Sequence, residues 1–164
     1  MPEKKTIERA HAAKRAGKSP STQAGAFVKE QIDHIREGKH GAKSAKQAIA
    51  IGLSEARRSG VGLKAPKKGA ASAATRKKAS KDTQAGQHKT RRSASTESTA
   101  KRSATSTRVL KREGSAAASH TALSKQTHRS ASRRSAADRS ASAKKGWETR
   151  RKAASKSGSA RHAR

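Results

Sequence analysis

The chain has no cysteine, no tyrosine, one phenylalanine (Phe27) and one tryptophan (Trp147), and only 11 of its 164 side chains are acidic. Without cysteine there are no disulfides and no thiolate ligands for a metal. Hydrophobic residues make up 30%, much of it alanine, so most of the chain lacks the bulk to fill a core. No apolar run approaches the roughly 20 residues of a membrane-spanning helix. The opening residues MPEKKTIERAHAAKRAG are charged and lack the apolar stretch of a secretory leader. The expectation is a soluble, intracellular protein with no membrane partner.

What is present is positive charge. Lys and Arg number 41, giving a formal net charge of +30. High net charge with little apolar bulk is the composition of intrinsically disordered, self-repelling chains. The excess is uneven. Residues 1–63 carry 13 Lys and Arg against 6 acids, whereas residues 64–164 carry 28 against 5. That asymmetry predicts a module at 1–63 followed by a basic arm at 64–164.

Residues 19–63 hold the strongest helical signals. Ser19 and Pro20 are a cap and a first-turn proline. Ala24, Phe27, Val28, Ile32 and Ile35 recur on one helical stripe, and Gly38 stands where a helix ends in a left-handed turn. Ser44 with Gln47 is a capping-box pattern. Ala45, Ala48, Ile49, Gly52, Leu53 and Ala56 form a narrow stripe of mostly small residues that allows close approach. Ile51 lies off that stripe and either widens it or meets another chain. Arg57 and Arg58 suit the negative end of the helix dipole, and Gly60 ends the helix. The spacing predicts helices over 20–37 and 45–59, joined antiparallel through the loop GKHGAK. A third helix over 3–16, with Ile7 as its one sizeable apolar anchor, either frays as a charged helix or lies across the hairpin. So small a hairpin needs self-association, as a homo-oligomer, or a partner to complete it. The predicted fold class is all-α: a small helical hairpin, or three short helices, followed by a largely disordered basic tail.

Past Leu63, Pro66 and Gly69 break helix, and Ser, Thr and Ala alternate with basic pairs to the end of the chain. Ser and Thr compete with the backbone and weaken helix, so coil is expected. Residues 107–126, carrying Val109, Leu110, Ala117 and Leu123 and interrupted by Gly114, are the best helix candidate of the arm. Trp147 lies between Lys144, Lys145 and the run Arg150, Arg151, Lys152. Its ring either stacks on an exposed base, worth about 1–3 kcal/mol, or docks on the hairpin, or has no specific role.

Chemistry of other kinds is sparse. His34 and His40 sit near each other across a helix end, but no cysteine or evident carboxylate completes a ligand set, so no metal or cofactor is assigned. The remaining histidines read as solvated. There is no Walker loop, dinucleotide fingerprint or nucleophile elbow, and a catalytic serine needs a rigid site and a positioned base. No enzyme and no small-molecule substrate are expected. The cations of the arm point to phosphate: Lys67, Lys68, Arg76, Lys77, Lys78, Arg91, Arg92, Lys101, Arg102, Lys111, Arg112, Arg133, Arg134, Lys144, Lys145, Arg150, Arg151 and Lys152, with Trp147 among them. Such contacts are strong at low salt and carry no sequence information. Arg-flanked serines (Ser93, Ser103, Ser130, Ser135) either accept phosphate, each removing roughly two positive charges, or serve as solubilising filler.

Two resemblances add to this. The words MPEKKTIERA and KSPSTQAGAFVKEQIDHIREGKHGAKSAKQAIAIGLSEARRSGVGL resemble a family of short basic bacterial proteins of uncharacterised domain type, some catalogued as plasmid stabilisation proteins. The likeness spans about residues 1–65 and implies a helical module in a bacterial cytoplasm. The arm is similar in composition to those of bacterial histone H1-like proteins, with more Ser and Arg and fewer Lys-Lys-Ala units. The reading is therefore a non-enzymatic, nucleoid-associated protein that binds DNA largely without regard to sequence. Two alternatives stay open. One is a sequence-specific regulator or plasmid-maintenance factor whose candidate groove contacts are Lys46, Gln47, Arg57 and Arg58. The other is an RNA-binding or ribosome-associated protein, because RNA presents phosphates too.

Overall fold

The computed structural model describes residues 2–87 and 99–159. Seven α-helices follow in order: α1 (Lys4–Arg15), α2 (Pro20–Arg36), α3 (Ala45–Arg58), α4 (Ala73–Gln87), α5 (Thr99–Lys111), α6 (His120–Ser132) and α7 (Ala136–Ser159), with one 3-10 turn at Ala116–Ala118 before α6. No strand occurs among the described residues; Lys68 and Ala71 make an isolated bridge. The protein is all-α. It divides into two units, Met1–Leu123 and Ser124–Arg164.

Local chemistry sets the hairpin. The Ser19 hydroxyl accepts the Thr22 N–H with Pro20 in the first turn of α2, which satisfies an orphan donor where proline needs none. At the far end Gly38 adopts φ 73°, and the Lys39 N–H reaches the His34 carbonyl at 2.9 Å while the Gly38 N–H reaches that of Ile35 at 3.2 Å. A left-handed residue closing both bonds is what glycine permits at low steric cost. Ser44 caps α3 through the Gln47 N–H, and Gln47 Oε1 accepts the N–H of Lys43 at 3.0 Å.

Antiparallel α2 and α3 form the central pair, α1 lies on α2, α4 on α3, and the 3-10 turn touches both central helices. Gly52 is where the pair comes closest: a Cβ there would lie 2.7 Å from the Val28 Cα. Two small clusters flank this crossing. Ala10, Ala24, Phe27, Ala56 and Val61 pack with Ile7, Leu53 and Leu63 in one. Ile35, Ala42, Ala48, Ala117 and Ala118 pack with Ile32 in the other. Phe27 and Ile35 are the largest fully buried side chains. Part of the cover that the hairpin lacks by itself therefore comes from α1, α4 and the 3-10 turn of the same chain.

The disordered tail expected after Leu63 is not what the structure shows. α4 docks on α3 through buried Ala79 and Asp82. Asp82 accepts the Ser54 hydroxyl at 2.7 Å and Arg58 Nε at 2.8 Å, and its side chain is only 9% exposed. The 3-10 turn brings Ala117 and Ala118 into the second cluster, where the Ala118 carbonyl accepts Arg36 Nε at 3.1 Å. The helix anticipated over 107–126 is two helices, with Gly114 in the break between α5 and α6. Serine and threonine, read as helix-weakening, take two helix-compatible roles. Ser72, Ser119 and Ser135 accept N–H groups from Thr75, Ala122 and Asp138 at helix starts. Thr83, Thr105, Ser142 and Thr149 donate back to carbonyls four residues earlier. Either way the hydroxyl no longer competes for a non-helical backbone.

Two substitutions probe this packing. Gly52→Ala raises helix propensity by about 1 kcal/mol in isolation, yet here it lowers stability by roughly 1–3 kcal/mol, because backbone on both sides has to move; chemical denaturation gives the sign directly. Asp82→Ala leaves Arg58 and Ser54 without their acceptor and costs about 2–3 kcal/mol, with amide-exchange protection lost first in α4.

Candidate functional site

Cations reach the surface in both units, but the two arginines that end α3 are engaged by the fold. Arg57 is buried, and its guanidinium donates to the carbonyls of Leu53 and Lys64, each at 3.4 Å. Arg58 is tied to Asp82. Gln47 is half-buried beside its own cap; Lys46 and Arg58 are the exposed members of the four candidate groove contacts, and Arg58 is the one with an acidic partner. Ile51, placed off the apolar stripe, lines a groove of about 480 Å³ between α3 and α4, together with Arg57, Arg58, Lys78 and Asp82.

Among the proposed phosphate contacts, Lys67 and Lys68 stand exposed before α4, and Lys77 and Lys78 are exposed on it. Arg76 is half-buried. Lys101, Lys111 and Arg112 are exposed on and just after α5. Arg91 and Arg92 lie outside the described residues, as does the side chain of Arg102. Of the Arg-flanked serines, Ser135 caps α7 and Ser130 bonds to Gln126.

The second unit has 13 Lys and Arg against Asp138 and Glu148. Arg133 and Arg134 are exposed in the turn between α6 and α7. Arg139, Lys144, Lys145, Arg150, Arg151 and Lys152 are exposed on α7. At 3.6 residues per turn these fall in three stripes, Arg139 with Arg150, Lys144 with Arg151, and Lys145 with Lys152, spaced around the helix. Trp147 is 56% exposed, and the Arg151 guanidinium lies 5.1 Å from its ring centre, within cation–π range. The helix therefore presents positive charge in every direction and has no broad apolar face.

The acids are gathered elsewhere. Glu3, Glu30, Asp33 and Glu37 line one depression with Lys5, Arg9, Lys29, His34 and Lys39. The Glu3 N–H donates to Glu30 Oε1 at 2.8 Å, and Glu3 Oε1 lies 3.2 Å from His34 Nε2. The His34 hydrogen bond, helped by nearby Lys39, holds the Glu3 carboxyl below the usual carboxylate range. Lys39 ion-pairs with Glu37 at 2.9 Å, and that contact raises its own pKa. On the neighbouring helix, burial and then the Glu30 charge push the Glu55 carboxyl upward, although Gln31 Nε2 donates to it at 2.8 Å. The sequence reading missed this gathering. Glu30 and His34 are four apart on one helix and were visible as neighbours, but nothing local to residue 3 tells that α1 ends over them.

Glu55 makes a pH prediction. Its folded pKa is above its unfolded one, so the stability tied to its protonated form is present at low pH and lost as pH rises through the folded value. Glu55→Gln keeps an acceptor for Gln31 and removes the half-buried charge. The variant therefore melts roughly 1–3 °C higher than the parent at pH 7. The gap closes below about pH 4, where both states of the parent are protonated; thermal melts at the two pH values read it.

No curated protein and no solved structure matches the chain. Residues 11–69, which run from within α1 through α2 and α3 to the segment before α4, match the model of an uncharacterised domain, the Family of unknown function (DUF6496).

Proposed function

We propose that the protein is a non-enzymatic nucleic-acid-binding protein that neutralises backbone phosphates, with duplex DNA as its main partner and little dependence on base sequence. The observation that carries this is α7: its described cations are exposed all round the helix, and no apolar face accompanies them. An interfacial membrane helix needs one apolar side and one charged side, whereas a polyanion can meet cations from any direction. Trp147 adds a flat, sequence-tolerant stacking surface among those cations. Lys67, Lys68, Lys77, Lys78, Lys111 and Arg112 extend the same chemistry along the first unit.

A sequence-reading role for α3 gains no support. A recognition helix needs several free side chains on its outer face, whereas Arg57 is buried and Arg58, though exposed, is paired with Asp82. The bacterial nucleoid setting, and any part in plasmid maintenance, come from the resemblance of residues 1–65 and of the arm, and belong to the same proposal.

Binding of the full chain to random-sequence duplex, followed by fluorescence anisotropy across rising salt, tests the proposal. If about ten side chains displace counterions, log K falls against log salt with a slope near −9. Replacing Arg150, Arg151 and Lys152 by Gln makes the slope shallower by about one per cation that contacts phosphate, without changing any preference among duplexes. An affinity that barely moves with salt, or strong preference for one duplex over random competitor, overturns it; equal or tighter binding to structured RNA moves the partner from DNA to RNA.

A further inference from the structure

We propose that Glu3, Glu30 and His34 form a binding site for one divalent transition-metal ion, zinc being the best chemical match, which staples the start of α1 to the middle of α2. One donor atom from each of these side chains lies within 4.8 Å of the other two. His34 Nε2 is 3.2 Å from Glu3 Oε1 and 4.0 Å from Glu30 Oε1. Donors held at about 2.0–2.2 Å around a tetrahedral zinc stand roughly 3.3 Å apart, so small side-chain adjustments bring the three into register.

The second, independent observation is the state of Glu30. Its side chain is only 4% exposed. One oxygen takes the Glu3 N–H, while Oε2 is buried without any hydrogen-bond partner. A buried carboxylate oxygen left this way is costly, and in native proteins such a group marks an ion or a water that completes it. The His34 ring does not solve the problem: its Nε2 meets Glu3 Oε1 at 3.2 Å and leaves Glu30 Oε2 as it was. A dication answers both carboxylates and the imidazole lone pair together, and a turn of the Glu30 carboxylate lets Oε2 share it. The local field agrees, since the Glu30 charge is felt by Glu55 on the facing helix.

The donor set selects the metal. One imidazole and two carboxylates, with a fourth position open to water, suit zinc. Calcium takes six to eight oxygens and magnesium a near-octahedral shell of them. Access is from the Glu3 side, where the side chain is 54% exposed, past His34 at 18%. Lys39 Nζ, 3.7 Å from Glu3 Oε1, already has Glu37 at 2.9 Å as its alternative, so the ion can displace it. Because the ligands come from two helices, binding favours the folded arrangement of α1 on α2.

The test uses full-length protein stripped with a chelator, titrated with Zn²⁺ by calorimetry and by thermal unfolding, with Mg²⁺ in parallel. One Zn²⁺ binds with a dissociation constant of about 10 μM or tighter, the melting temperature rises, and Mg²⁺ at equal concentration changes neither. Bound Co²⁺ shows the visible absorption intensity of a tetrahedral site. His34→Gln and Glu3→Gln each weaken Zn²⁺ binding by at least about tenfold, while His128→Gln does not. Glu3 is exposed, so its variant reports on binding even if the His34 substitution disturbs folding; circular dichroism checks both. Binding of Zn²⁺ weaker than about 1 mM, unchanged affinity in Glu3→Gln, or loss of affinity in His128→Gln instead, overturns the assignment.

Discussion

Gly52 brings the axis of α3 against the backbone of α2 at Val28, and the rest of the first unit depends on that proximity. A chain with one phenylalanine and so much alanine cannot hold helices apart on large side chains and still exclude water. It holds them together on small ones instead. The consequence is a core in two modest clusters, one around Phe27 and one around Ile35, each finished by alanines from neighbouring elements. Dispersion contacts between close backbones substitute for the bulk that larger residues supply elsewhere.

Acidic side chains are the scarce resource, and several of them hold one element to another. Asp82 ties α4 to α3 through Ser54 and Arg58. Glu30 receives the backbone N–H that begins α1, and Glu55 receives Gln31 across the central pair. With the carboxylates used between helices, many cations of the described residues are left facing outward. In the second unit, where only Asp138 and Glu148 are acidic, α7 exposes charge on all sides. The same shortage of acids thus shapes both the inside of one unit and the outside of the other. Phosphate binding is the proposed use of that outside, and the gathering of Glu3, Glu30 and His34 is the exception in which negative charge is concentrated.

Helix ends were legible in the residues because their chemistry is local. Ser19 with Pro20, Ser44 with Gln47, and Gly38 each state a boundary within a few positions, and the bonds they make lie within one turn. The narrow stripe through Ala48, Gly52 and Ala56 was legible for the same reason. The helices after Leu63 were not. Their apolar content is slight, and what fixes α4 is a buried Asp82 whose partners are 24 and 28 residues away. Ser and Thr misled, since whether a hydroxyl caps, bonds back or disrupts depends on the turn it finds itself in.

The residues by themselves determined the all-α class, the caps and stops of the central helix pair, the absence of thiolate chemistry, and a large excess of positive charge toward the C-terminal side. These follow from propensity, composition and contacts a few positions apart. Tertiary structure alone decided that Arg57 and Arg58 serve the fold, that Ala117 and Ala118 complete a cluster begun at Ile35, and that Glu3 meets Glu30 and His34. Each of those pairs residues with no periodic relation in sequence, and a buried charge or a small apolar residue finds its partner only when helices dock.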